Sequence, residues 1–187
     1  MRAAFLAAIV IFPFGLNMSH AQNPAASQQA APVHISNTFH FQLNASLAEV
    51  APLFGPEGER SWAGEHWNPQ FIYPQRAPNA ELDVPGAVFT IQHGPHTLVW
   101  VTTIFDPAAG RMQYVAFVPG HMVSVIDVRL SANGVKTTSV EVTYTRTALD
   151  PAANDEVRAH GNDDSQSGPE WQQAIEASMK AHGQKSP

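Results

Sequence analysis

The 187-residue sequence contains no cysteine and little charge, and these two scarcities exclude several classes of function. Without cysteine there is no disulfide, thiol nucleophile, iron–sulfur cluster or cysteine-ligated zinc. Charged residues make up 14% of the chain, against roughly a quarter in typical soluble proteins, and the net charge is −6. This balance does not provide the basic face that nucleic-acid binding needs, so no nucleic-acid partner is expected.

Catalytic signatures are also scarce. The sequence has no Gly-x-Ser-x-Gly nucleophile motif and no glycine-rich phosphate loop, because Gly110 and Gly120 are placed to close hairpins. His93 and His96 flank a Gly-Pro turn, and with a third ligand this pair would suit zinc or copper. Solvent-exposed turn histidines explain the same pattern better, and we expect no metal and no cofactor.

The chain begins with a pattern typical of a secretory signal peptide. Arg2 gives a positive start, residues 3–16 are almost entirely apolar, and Ser19 and Ala21 place small residues at a cleavage site after Ala21. The apolar run of about 14 residues is shorter than the roughly 20 needed to span a bilayer. We therefore expect a periplasmic or secreted protein with no stable membrane insertion after cleavage.

Removal of residues 1–21 leaves 166 residues, enough for one domain with a substantial core. The removed segment holds one basic residue and no acid, so the net charge becomes −7. Residues 22–32, rich in Ala, Gln, Ser and Pro without periodicity, are predicted to form a flexible leader. A single domain is predicted over residues 33–183, followed by a short tail at residues 184–187.

The hydrophobic pattern predicts seven strands. Val140, Val142 and Tyr144 alternate cleanly with polar residues, and Asn133-Gly134 is a strong hairpin signal. Regular strands with tight turns indicate an antiparallel meander, with the first strand at the sheet edge beside the last. The predicted strands cover residues 39–43, 71–73, 88–91, 97–105, 112–118, 122–130 and 137–147.

Short helices are predicted on both sides of the meander. Ser46 and Glu49 have the spacing of a capping box at the start of one short helix, and a second helical turn is predicted near residues 57–61. The acidic segment 150–168 indicates either a short helix through residue 159 or a mobile loop.

A longer amphipathic helix is predicted at the C-terminus. Pro169 suits a first helical position, Gly183 suits the C-terminal cap, and Trp171, Ile175 and Met179 recur on one face. One amphipathic helix cannot bury its apolar face alone, so we expect it to lie across a curved sheet.

In their order and spacing, several stretches resemble the START-like, or SRPBCC, superfamily, above all its bacterial branch of members without an assigned function. They are residues 46–54 (SLAEVAPLF), 59–62 (ERSW), 67–69 (WNP), 99–101 (VWV), 119–121 (PGH) and 143–149 (TYTRTAL). The resemblance implies an α+β helix-grip fold, with a curved antiparallel sheet of about seven strands wrapped around a C-terminal helix and two short helices after the first strand. It also implies an apolar cavity between sheet and helix for a hydrophobic or lipid-like ligand.

Aromatic side chains are the main candidate ligand contacts, because aromatic groups with a few polar tips suit an apolar pocket. They equally suit the core of a domain of this size, and the apolar residues 98–104 leave open which of their side chains face inward. The candidates in the loop region expected at the cavity mouth, on the strands and on the terminal helix are Trp62, Trp67, Phe71 and Tyr73, then Phe89, Trp100, Phe117 and Tyr144, then Trp171.

Four polar side chains are candidates for orienting a ligand: Arg60, His66, His121 and Tyr144. Arg60 adjoins an acid between aromatic residues, which favours a loop-anchoring ion pair over the alternative, binding of a ligand carboxylate. Each histidine either fixes a loop through a backbone carbonyl or lines the cavity mouth. Glu65 with His66, or Asp127 with His121, would form an acid–base pair if the fold brought them together.

The expected function is the binding or carrying of a hydrophobic small molecule or lipid by an exported protein. Two alternatives stay open. A hydrolase or cyclase acting on a hydrophobic small molecule would need an acid–base pair converging in the cavity. An envelope protein-interaction module would show a filled cavity and a contiguous exposed apolar patch. The sequence carries no signal of oligomeric state.

Overall fold

The structure is a computed structural model that describes residues 30–183. The predicted signal peptide, most of the predicted leader and the tail at residues 184–187 lie outside the described residues. The strands are β1 (His34–Leu43), β2 (Gln70–Tyr73), β3 (Val88–His93), β4 (His96–Asp106), β5 (Arg111–Val118), β6 (Met122–Ala132) and β7 (Thr138–Ala148). The α-helices are α1 (Leu47–Val50), α2 (Asn154–Asp164) and α3 (Gly168–Gly183), with 3₁₀ turns at Ala51–Phe54, Gly58–Ser61 and Pro151–Ala153.

The seven strands form one open antiparallel sheet in the order β1-β7-β6-β5-β4-β3-β2. The prediction that the first strand pairs beside the last is confirmed, with Phe39 opposite Val142 and Phe41 opposite Val140. The α+β helix-grip architecture is therefore present: a curved sheet with helices at the C-terminal end and two short helical segments after β1.

The core lies on the inner face of the sheet. Phe39, Phe41 and Leu43 of β1 are buried there beside Val140 and Val142 of β7, because side chains alternate between the two faces of a strand. β6 repeats the pattern with its even-numbered residues inward. The predicted alternation of β7 is confirmed, and its even-numbered residues are the ones that face inward.

A bulge in β4 explains why its inward side could not be identified from the sequence. The pairing with β5 shifts between Thr102 and Ile104, so Thr102 is fully buried, Thr103 is exposed and Phe105 packs on the core. One extra residue reverses the parity of the strand at that point. The inward-facing residues of β4 are therefore even-numbered before the bulge and odd-numbered after it, so no single alternation of inward and outward side chains fits residues 98–104.

Helix α2 extends to Asp164, five residues beyond the predicted end at residue 159. Asp150 accepts a hydrogen bond from the Ala152 amide at 2.8 Å and so starts the preceding turn. Asn154 accepts from the Val33 amide at 2.8 Å, which ties the helix to the beginning of the domain. Val157 is fully buried in a small cluster with Met122, so tertiary contacts hold a segment whose composition is polar.

Helix α3 confirms the predicted amphipathic helix. Ile175 is fully buried in the main core, and Trp171 packs against the ring of Phe39, with ring centroids 5.3 Å apart. Among residues 30–183, no helix combines the length and the apolar character required to cross a membrane.

Candidate functional site

A cavity of about 380 Å³ lies between the inner face of the sheet and helix α3. The wall on the sheet side comes from β4 to β7, and the opposite wall from α3. The segment at residues 59–67 and helix α2 supply the remaining sides. The lining residues include Glu59, Trp62, Trp67, His93, His96, Trp100, Tyr114, Ala116, Phe117, Ser124, Tyr144, Arg146, Glu156, His160, Glu170 and Trp171.

All four tryptophans of the sequence line this cavity. Trp62 meets Trp171 of α3 with ring centroids 5.0 Å apart, and Trp67 meets Trp100 of β4 at 5.3 Å in an edge-to-face contact. The indole N–H groups of Trp62 and Trp67 donate to the carbonyls of Leu53 and Pro56, both at 2.7 Å. These bonds fix the loop tryptophans with their rings against the cavity.

Six of the candidate ligand contacts therefore come together around the cavity: Trp62, Trp67, Trp100, Phe117, Tyr144 and Trp171. Phe89 does not line it, because this ring is fully buried behind Trp100, with centroids 5.8 Å apart. Phe71 packs on Phe89 instead, and Tyr73 is 61% exposed on the edge strand β2.

Arg60 anchors the loop and does not reach the cavity. Its guanidinium donates to Glu57 at 2.8 Å, to the side chain of Asn68 at 3.0 Å and to the carbonyl of Pro69 at 2.5 Å. The acid that pairs with Arg60 is therefore Glu57, one helical turn earlier, and not the adjacent Glu59. His66 is exposed and does not line the cavity.

His121 is not among the lining residues, but it contacts two of them and pairs with a different acid from the one considered in the sequence. Its Nε2 atom is 2.8 Å from Oε2 of Glu156 on α2, and its ring stacks on His96 with centroids 5.3 Å apart. The hydrogen bond with His121 lowers the pKa of Glu156. Asp127 belongs to the outer face of β6, where Arg129 donates to it at 2.8 Å.

His93 and His96 also line the cavity mouth, at facing positions of the β3–β4 hairpin. No group of three or more His, Asp or Glu side chains within residues 30–183 is arranged to hold a metal ion. Their observed role is to form part of the mouth, next to the pair of His121 and Glu156.

Arg146 gives the cavity a polar but neutralised wall. Its Nε and Nη2 atoms donate to the two carboxylate oxygens of Asp164 at 2.6 and 2.7 Å, and Nη1 donates to Ser124 at 3.0 Å. The guanidinium also lies 4.7 Å from the centre of the Tyr144 ring. Burial alone would lower the pKa of Arg146, but the hydrogen bonds and charge of Asp164 hold it above its ordinary value.

Glu59 is one of several lining residues that are not among the candidates from the sequence, together with Arg146, Glu156 and His160. It is 8% exposed, and no hydrogen bond within the described part of the chain offsets the burial of its carboxyl group. Burial, with a smaller contribution from the charge of Asp83, raises the pKa of Glu59 well above its usual range. In the sequence Glu59 lies three residues before Trp62 and directly before Arg60. This position suggested an ion pair between Glu59 and Arg60 and gave no indication that the Glu59 carboxyl group lines a cavity.

Solved structures with the same topology share little sequence with this chain. An uncharacterised protein of Rhizobium leguminosarum matches 81% of the chain and 97% of its own length, with a TM-score of 0.54 and 17% identity. A protein of Rhizobium loti matches 80% and 99%, with a TM-score of 0.52 and 17% identity. Norcoclaurine synthase of Thalictrum flavum, solved with dopamine and hydroxybenzaldehyde, matches 97% and 100%, with a TM-score of 0.58 and 10% identity.

At these identities the likeness establishes the fold alone. No protein-family model matches the sequence, and no curated sequence matches it either.

Proposed function

Since the chain has the helix-grip fold of the START-like superfamily, we propose that it binds and carries an apolar or lipid-like small molecule in the cavity between sheet and helix. The observation that carries this proposal is the concentration of all four tryptophans around one cavity of about 380 Å³. A volume in this range and a wall that combines aromatic rings with convergent polar side chains are typical of small-molecule sites. Each Å² of apolar ligand surface removed from water would contribute about 25 cal/mol to the favourable free energy of binding.

A fold neighbour supports a small-molecule partner in general terms. The norcoclaurine synthase structure contains dopamine and hydroxybenzaldehyde, so this architecture accommodates small organic molecules in at least one protein. The lipid-like character of the ligand in this chain rests on the aromatic and aliphatic lining, not on that neighbour.

Two observations favour binding over the alternative functions. Neither Glu65 with His66 nor Asp127 with His121 forms an acid–base pair in the cavity, because Glu65 and His66 are exposed and Asp127 lies on the outer face. The pair that forms instead, His121 with Glu156, is 26% and 42% exposed and so lacks the burial expected of a catalytic pair inside the cavity. The side chains leave a cavity of about 380 Å³ between sheet and helix, and the exposed large apolar side chains of the described residues lie on separate segments of the chain. They are Ile72, Tyr73, Val135 and Leu149.

We also propose that the protein is exported and acts in the periplasm or outside the cell. The support is the N-terminal pattern of a positive residue, a short apolar run and small residues before Gln22. Expression of the full chain in a Gram-negative host, followed by N-terminal sequencing of the protein released from the periplasm, should give Gln22 as the first residue. Retention of Met1 in the cell membrane or cytoplasm would contradict export.

The binding proposal is tested by filling the cavity. Ala116 is buried on the inner face of β5 and lines the cavity, so Ala116→Leu should occupy space that a ligand needs. Ala108 lies exposed in the β4–β5 turn, so Ala108→Leu is the matched control. We expect Ala116→Leu to weaken binding of a hydrophobic fluorescent probe by about tenfold or more, and the control to bind like the unaltered protein.

Native mass spectrometry of the protein purified from its own host would then identify a retained ligand. Absence of probe binding to the unaltered protein, or equal binding by both variants, would contradict a functional cavity.

A further inference from the structure

The polar groups around the cavity differ in whether the protein satisfies them. Arg146 is matched by Asp164 and Ser124, and the hydroxyl of Tyr114 donates to the carbonyl of Phe54 at 2.6 Å. Buried polar groups normally have such partners, so an exception calls for an explanation. Glu59 is the exception among the charged lining residues, because it is more than nine-tenths buried and no side chain of the described residues pairs with it.

The backbone holds Glu59 firmly in this position. Its amide donates to the carbonyl of Gly55, and its carbonyl accepts from the amide of Ala63, both at 2.8 Å. The neighbouring Arg60 turns away to Glu57 and cannot neutralise it. Burying an unpaired carboxyl group is costly, and the cost falls when an opposite charge approaches.

Aromatic rings face the same space as Glu59. Trp62, Trp67, Trp100 and Trp171 line the cavity, and the charge of Glu59 also contributes to the raised pKa of Tyr144, so these two side chains interact electrostatically. The face of an aromatic ring attracts a cation, most strongly when water is excluded. A buried carboxyl group among indole rings therefore combines the two elements that recognise an organic ammonium group.

The other charged residues that line the cavity also favour a cationic ligand over an anionic one. Arg146 is the only Lys or Arg among the described lining residues, and Asp164 matches its charge. Glu156 and Glu170 add negative charge on the side of the helices. An anionic ligand such as a fatty acid would therefore find no unpaired Lys or Arg among the described lining residues, and a neutral apolar ligand would leave Glu59 without a partner.

We propose that the ligand is an organic amine, with an apolar body held by the aromatic walls and a protonated nitrogen paired with the carboxylate of Glu59. This inference rests on the proposed small-molecule-binding function and specifies the chemical class of its ligand. Binding forms an ion pair and breaks no covalent bond, so no co-reactant is required.

Three probes with the same eight-carbon chain test the proposal on the full, unaltered protein: n-octylamine, 1-octanol and octanoate. Binding is measured by intrinsic fluorescence, which reports on the cavity because every tryptophan lines it, and by calorimetry. We expect octylamine to bind at least about tenfold more tightly than octanol, and octanoate to bind most weakly.

Two variants locate the effect. Glu59→Gln keeps the shape of the side chain and removes its charge, so it should abolish most of the preference for octylamine while leaving octanol binding unchanged. Glu65→Gln removes an exposed acid of the same segment that does not line the cavity, and it should retain the preference. The probe comparison needs no variant, so it remains decisive if Glu59→Gln misfolds.

The possible outcomes distinguish a failure of the amine proposal from a failure of the proposed small-molecule-binding function. Octanol binding as tight as octylamine binding would overturn the amine proposal and leave the apolar cavity in place. A preference for octylamine that survives Glu59→Gln in a folded protein would overturn the role of Glu59. Failure of all three probes to bind would contradict the binding function itself.

Discussion

Arg146 and Asp164 form a two-point ion pair that joins β7 to the end of α2, with nitrogen–oxygen distances of 2.6 and 2.7 Å. Their side chains are only 14% and 9% exposed, so water contributes little to the solvation of either charge. The pair fixes the C-terminal end of α2 and at the same time supplies the polar wall of the cavity. The geometry of the cavity and the position of α2 therefore depend on the same contact.

Breaking this pair on one side should be strongly destabilising. Asp164→Asn leaves the buried guanidinium of Arg146 without its counter-charge, and we expect a loss of about 3 kcal/mol in the free energy of unfolding. The double variant Asp164→Leu with Arg146→Met removes both charges and should cost clearly less than Asp164→Asn. Urea denaturation of the three proteins measures the difference. A cost below about 1 kcal/mol for Asp164→Asn would show that water reaches the pair.

Glu59→Gln should stabilise the protein at neutral pH. Burial raises the pKa of Glu59 in the folded state above its unfolded value, so the folded protein retains a proton that the unfolded chain releases. The contribution of this group to stability is fully present below the unfolded pKa and is lost as the pH rises toward the folded pKa. The advantage of Glu59→Gln should therefore grow as the pH rises above about 4.5.

Unfolding free energies at a series of pH values, compared as differences between the two proteins, isolate this group. Glu57 and Glu156, whose pKa values are lowered, contribute equally to both proteins, whereas Asp83, whose pKa is raised by burial, is coupled to Glu59 by charge and contributes to the measured difference. A pH-independent difference between Glu59→Gln and the unaltered protein would contradict an unpaired buried carboxyl group.

Two cavity tryptophans should respond differently to replacement by phenylalanine. The indole N–H of Trp62 donates to the carbonyl of Leu53 at 2.7 Å, whereas the indole N–H of Trp100 is buried without a partner among the described residues. Trp62→Phe should therefore cost about 1 kcal/mol more in unfolding free energy than Trp100→Phe. Equal costs in parallel denaturation experiments would mean that Trp100 has a hydrogen-bond partner in solution.

The strands and the terminal helix were predictable from the sequence because one face of each is buried. Val140, Val142 and Tyr144 alternate with polar residues over a regular strand, and Trp171 and Ile175 share one face of α3. Such periodic burial leaves its mark directly on the order of apolar and polar residues. The helix-grip order of elements followed from these patterns and from the resemblance to the START-like superfamily.

The cavity residues that escaped prediction depend on contacts between segments distant in sequence. Glu59 has no periodic pattern around it, and its burial follows from how the loop packs on the sheet. The full length of α2 depends on Asp164 reaching Arg146 and on Asn154 reaching Val33, so its polar composition alone indicated a loop as readily as a helix. The hydrogen bond between His121 and Glu156 forms only because helix α2 packs back against the sheet.

Gly58 is required for the turn that positions Glu59, and Gly58→Ala should be destabilising. A Cβ atom at this position would collide with the carbonyl oxygen of Pro52 and lie 2.9 Å from the Cα of Leu53, both of which are backbone atoms that cannot move aside. We expect a cost of about 1–3 kcal/mol, typical of overpacking, together with weaker binding of the octylamine probe because the shifted turn displaces Glu59. Gly161→Ala is the control, since its new Cβ meets only the ends of two side chains, those of Ile35 and Asn37, and the substitution gains helix propensity, so the net change should be within about 1 kcal/mol of zero. Thermal and urea denaturation measure the stability of both variants, and titration with octylamine measures their affinity for the probe. If Gly58→Ala is as stable as Gly161→Ala and binds octylamine with unchanged affinity, the turn adapts without moving the carboxyl group of Glu59.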